Sequence, residues 1–116
     1  MSDVTEYSTV IQKLLERTRD GKVPWEVFSY GFRAMVKSYE FRISKSEDRG
    51  DITVSLGMLD DQGHEIFEAR LTDDPVTLGK YRQLVSALQD LYELARRKAL
   101  NVEEKIGEVS SLLDEM

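Results

Sequence analysis

Apolar positions along this chain change their spacing twice, and each change marks a change of element. Val4, Tyr7, Val10, Ile11, Leu14 and Leu15 recur at three- and four-residue steps, which stacks them on one side of a helix over about residues 4–20. Ser2 or Asp3 supplies a capping side chain at its start. Gly21, followed closely by Pro24, predicts its end, because glycine accepts the left-handed residue of a helix terminus and proline cannot continue the ladder.

Between about residues 25 and 72 the period moves toward two. "WEVFSY", "FRAMV" and "YEFRIS" are rich in aromatic and β-branched residues. Ala34, Val36, Tyr39, Phe41 and Ile43 alternate there with Arg33, Lys37, Glu40 and Arg42. "SKSEDRGD" reads as a polar turn around Gly50. In "ITVSLGML" the residues Ile52, Val54, Leu56 and Met58 share one face, "DDQG" closes a hairpin, and Phe67, Ala69 and Leu71 alternate with Ile66, Glu68 and Arg70. Connections this short favour antiparallel neighbours, since parallel pairing needs crossovers of about a dozen residues or more. A meander of four or five strands with one wet face is the expectation.

The helical period then returns. Leu78, Tyr81, Leu84, Val85, Leu88, Leu91, Tyr92, Ala95 and Ala99 hold a stripe over about residues 77–100, with Thr77 as the expected cap. Asn101 and Glu104 have the spacing of a capping box, so a second helix is expected over about 102–114, with Val102, Ile106, Val109, Leu112 and Leu113 on its apolar side. Together these elements predict a single two-layer α+β domain, its long helix laid across one face of an antiparallel sheet. Three amphipathic helices offer more apolar stripe than one sheet face covers, which raises the expectation of a homodimer.

At 116 residues the chain is long enough for one core and too short for two. Its net charge of −6, from 16 Lys and Arg against 22 Asp and Glu, argues against duplex DNA, whose binding needs a concentrated cationic face. The absence of cysteine removes disulfides, thiolate chemistry and cysteine zinc sites. The first residues, "MSDVTEYSTV", are polar and acidic rather than basic then apolar, and no run approaches the ~20 apolar residues of a membrane span, so a cytoplasmic location is expected.

Candidate chemistry is sparse. His64, the sole histidine, follows "DDQG" and reads as a solvated turn residue. Asp60 and Asp61 beside it do not make a metal site, because turn aspartates bond their own backbone and the longer ligand series of a calcium loop is missing. Glu103–Glu104 and Asp73–Asp74 fall at helix starts, where the helix dipole already accounts for negative charge. The glycines form neither a dinucleotide fingerprint nor a phosphate loop. No cofactor is expected, and the expected role is non-enzymatic.

Two features remain. Trp25, the only tryptophan, either anchors the first helix to the sheet, the favoured reading, or sits at a binding surface. Arg96, Arg97 and Lys98 flank the apolar stripe in the last turn of the long helix, where a helix dipole favours cations, with Glu93, Glu103 and Glu104 as available partners. That structural reading of the trio is favoured over an anion-binding one.

The segments "LLERTRDGKVPW", "FRAMVKSYEFRISKS" with "DDQGHEI", and "LYELARRKALNVEEKIGEVSSLL" span most of the chain and together resemble a recurrent group of small uncharacterised bacterial and phage proteins. The resemblance implies a free-standing small domain from such a source and carries no activity or catalytic residue. The expected function is an interaction or regulatory module, homodimeric, that binds a protein partner. The alternative is a protein that binds or senses a small anionic ligand, with Arg96, Arg97, Arg33 or Arg42 as anion contacts and Trp25 or Tyr39 as a stacking surface. A small hydrolase ranks third.

Overall fold

The computed structural model describes residues 4–116, so the proposed capping role of Ser2 or Asp3 lies outside the described residues. A single 3-10 turn, Val4–Tyr7, leads into helix α1, Ser8–Arg19. The predicted stop is present. Gly21 has a φ of +74°, and the amides of Gly21 and Lys22 donate to the carbonyls of Thr18 and Arg17. That pair of bonds is the Schellman closure, which satisfies carbonyls the helix leaves open.

Five strands follow: β1 (Glu26–Phe28), β2 (Gly31–Val36), β3 (Tyr39–Asp48), β4 (Asp51–Leu59) and β5 (Glu65–Thr72). They pair antiparallel in chain order, as a meander. β3 and β4 are longer than the sequence pattern predicts. Their polar ends stay paired as far as Asp48 and Asp51, and only Arg49 and Gly50 turn, both with positive φ. A two-residue turn of that hand matches the twist of the strands it joins, so the hydrogen-bond ladder extends through residues whose side chains bury nothing. Gly31 answers a tighter demand: a Cβ there would lie 2.1 Å from the carbonyl oxygen of Ile43 on the paired strand.

Helix α2, Pro75–Ala99, starts earlier than predicted and is capped differently. Asp74, not Thr77, is the cap: its carboxylate accepts the Thr77 amide at 2.8 Å, with Pro75 in the first helical position. The neighbouring Asp73 ties the helix start to the sheet, accepting the Ile52 amide at 2.7 Å while its own amide donates to the Ile52 carbonyl. Tyr81 departs from helical geometry, with φ −130° and ψ 34°, and kinks the helix after its first turns. Beyond the kink Leu84, Leu88, Leu91 and Ala95 lie buried against the sheet.

The core occupies the space between α2, α1 and one sheet face. Ile11, Leu14 and Leu15 of α1 belong to the same buried cluster as Ile43, Val54 and Leu56 of the strands, with α1 packed against α2. Tyr7 stacks on Phe67 with centroids 4.3 Å apart, and Phe32 meets Tyr92 at 5.5 Å. Val36 and Tyr39 were expected to face inward and do not: the tip of the β2–β3 hairpin is exposed on both sides, and Met35, Val36 and Tyr39 are all exposed. A short helix α3, Val102–Asp114, ends the chain. Among the described residues no helix is long and apolar enough to cross a membrane.

Candidate functional site

The junction between α2 and α3 is two residues, Leu100 and Asn101. Asn101 adopts left-handed backbone, φ 52° and ψ 49°, and its side chain caps nothing, so the expected capping box with Glu104 does not form. A residue in that conformation cannot serve as an extended cap, whose side chain must reach forward to the second or third amide. Across the bend Arg97 pairs with Glu103 at 2.7 Å, and one turn back Arg96 pairs with Glu93 at 3.0 Å. The hydrogen bond from Arg97 holds the Glu103 carboxyl below its ordinary pKa. Both arginines thus have carboxylate partners within the molecule, and the Arg97 pair spans the elbow from which α3 departs.

α3 itself buries nothing. Ile106 is 57% exposed, Val109 51%, Leu112 60% and Leu113 62%, and Met116 follows at 96%. Valines, isoleucines and leucines at helical spacing normally face a core. Here the spacing is present and the core is absent. Between the end of α2 and the stripe lies a groove of about 420 Å³, lined by Leu100, Val102, Lys105, Ile106, Val109 and Ser110. α3 carries Glu103, Glu104, Glu108 and Asp114 against Lys105 alone, and Lys105 lines the groove.

The remaining candidates are scattered. Trp25 is in the core, only 4% exposed, and its indole N–H donates to the Thr18 hydroxyl at 3.1 Å. It anchors the chain after α1 and offers no stacking surface. Arg33 and Arg42 face each other across β2 and β3 on the sheet face away from α2. Both guanidiniums lie over the Phe28 ring, at 4.5 and 4.7 Å, and they pair with Glu26 and Glu40. Tyr39 sits at the exposed hairpin tip. Thus Arg33 and Arg42 are brought together, while Arg96, Arg97, Trp25 and Tyr39 belong to other surfaces or to the interior. Phe28, which gathers the two arginines, was not singled out in the sequence. Its place opposite Gly31 in a two-residue hairpin is the signal that puts it on the outer face.

The turn after β4 is similarly self-contained. Asp60 accepts the amides of Gln62 and His64, both at 2.9 Å, and its other oxygen lies 3.3 Å from the His64 ring. The His64 amide is the main reason the Asp60 carboxyl titrates below its ordinary value. Among the described residues no three His, Asp or Glu side chains are grouped as metal ligands would be. The chain matches no family model, no curated protein and no solved structure among those compared.

Proposed function

We propose that this protein is an interaction module that binds a protein partner through the apolar stripe of α3. One observation carries the reading: the helix has the residue pattern of a buried element and no interior to enter. Contiguous apolar surface of this kind is costly to leave in water and marks surfaces that are covered in the working state. A 13-residue helix held by one bend and one ion pair is also a marginal helix on its own, so a partner would stabilise it as well as hide it.

An anionic-ligand reading has less support. Arg33, Arg42, Arg96 and Arg97 each already have a carboxylate partner. An incoming anion would have to displace those carboxylates on an open surface.

The test compares the native chain with Ile106→Asp and Leu113→Asp variants as baits in extract from the source cell, with recovered proteins quantified by mass spectrometry. The reading expects a protein retained by the native chain and lost from both variants, while far-UV circular dichroism stays the same. Equal recovery by all three baits overturns it. The expected homodimer concerns the same surface, and sedimentation equilibrium on the native chain reads it directly.

A further inference from the structure

We propose a binding site for a small organic phosphate ester in the hollow where α1 meets the first turns of α2, at the opposite end of α2 from α3. The site uses none of Arg33, Arg42, Arg96 or Arg97. Its making, its charge and its donor set each point to that ligand.

The hollow measures about 680 Å³, within the roughly 300–1,000 Å³ usual for small-molecule sites, and lies between Ser8 and Gln12 of α1 and residues 78–84 of α2. Seven consecutive residues make about two turns of a straight helix and would point all the way round it. Tyr81, with φ −130° and ψ 34°, breaks that regularity, and residues on both sides of the break line one concavity.

Acidic side chains make up 22 of the 116 residues, yet none lines this hollow, whereas Lys80 and Arg82 both do. Seven of the nine arginines pair with a carboxylate; among the described residues Arg82 and Arg49 do not. Arg82 is also exposed. An anion arriving there displaces no carboxylate from it, as it would at Arg33 or Arg97.

A guanidinium offers a two-pronged fork to phosphate or carboxylate oxygens, and a lysine adds a point charge. Two cations match the charge of about −1.5 to −2 on a phosphate monoester near pH 7 better than the single charge of a carboxylate. Ser8, Gln12 and Gln83 supply hydroxyl and amide donors for the remaining oxygens. Leu78, Leu84 and the Tyr81 ring, whose centroid lies 5.1 Å from Lys80 Nζ, give an apolar wall for the organic part. That wall selects an ester over inorganic phosphate.

The test titrates the isotope-labelled full chain, followed by amide NMR shifts, with phenyl phosphate, glycerol phosphate and adenosine monophosphate. Inorganic phosphate and benzoate serve as comparators, each compound reaching about 10 mM. At least one ester is expected to shift the amides of Ser8, Gln12 and residues 78–84, and to bind at least about tenfold more tightly than either comparator. Arg82→Gln should weaken that ester at least about tenfold, while Arg49→Gln, which removes the same charge from the β3–β4 turn, should leave it unchanged. Both side chains are exposed, so matching thermal melts are expected for the two variants. Inorganic phosphate or benzoate binding as tightly as the esters overturns the ester assignment. Equal losses in the two variants overturn the site in favour of diffuse charge. No shift at residues 78–84 with any compound overturns it outright.

Discussion

The indole N–H of Trp25 donates to the hydroxyl of Thr18, 3.1 Å away, and both side chains are buried. Thr18 is the one buried polar residue among those described, and it stands in the last turn of α1 where the chain is about to reverse. The bond fastens the segment after Pro24 back onto the helix it has just left. Replacing Thr18 by Val preserves the shape and strands the indole donor, which costs about 1–3 kcal/mol. We expect a lower chemical-denaturation midpoint with an unchanged slope, followed by Trp25 fluorescence.

α2 and α3 have similar apolar stripes and opposite fates, and truncation separates them. Leu88 is fully buried, so Leu88→Ala should lose about 2–5 kcal/mol through lost transfer energy and the cavity left behind. Leu113→Ala, on the exposed face, should stay within about ±0.5 kcal/mol. Thermal melts of the two variants check both. A large loss at Leu113 would show that α3 already has a partner.

At Gly31 the constraint is backbone against side chain. Gly31→Ala forces β2 away from the Ile43 carbonyl, and the expected cost exceeds the roughly 1–3 kcal/mol typical of overpacking because backbone yields less readily than a side chain. Weakened hydrogen-exchange protection across β1, β2 and β3, with β5 little changed, is the pattern to look for.

Stability should fall on acidification. Asp74 is held below its ordinary 3.8 chiefly by the Thr77 amide, and Glu103 below its ordinary 4.5 chiefly by the Arg97 hydrogen bond. A carboxyl whose folded-state pKa is depressed contributes stability above its unfolded value and loses it as pH drops through the folded value. The loss therefore starts near pH 4.5 and continues below 3.8. Asp74→Asn, which can still cap the helix, should flatten the lower part of that profile in melts recorded from pH 6 to about pH 3.

What sequence alone decided was the order and kind of the elements. The 3.6 and 2.0 periodicities are local properties of the backbone, and so is the glycine stop: Leu84, Leu88 and Leu91 mark one helix face, Val54 and Leu56 one strand face, and Gly21 one terminus, wherever the rest of the chain lies. Local competition went the other way at the start of α2, where the Asp74–Pro75 pair outranks Thr77 because proline fits the first helical position and leaves the preceding carboxylate free to cap. What only tertiary structure decided was which apolar stripes found cover and which charges found partners. Trp25 went inward because α1 and the sheet close over it. Arg97 turned to Glu103 because the left-handed bend at Asn101 brings the start of α3 back beside the end of α2, while Arg96 met Glu93 one turn back on its own helix. The stripe of α3 stayed in water because one sheet face has a finite area, α2 lies across it with α1 packed against α2, and a helix that leaves by a two-residue elbow has none left to cover.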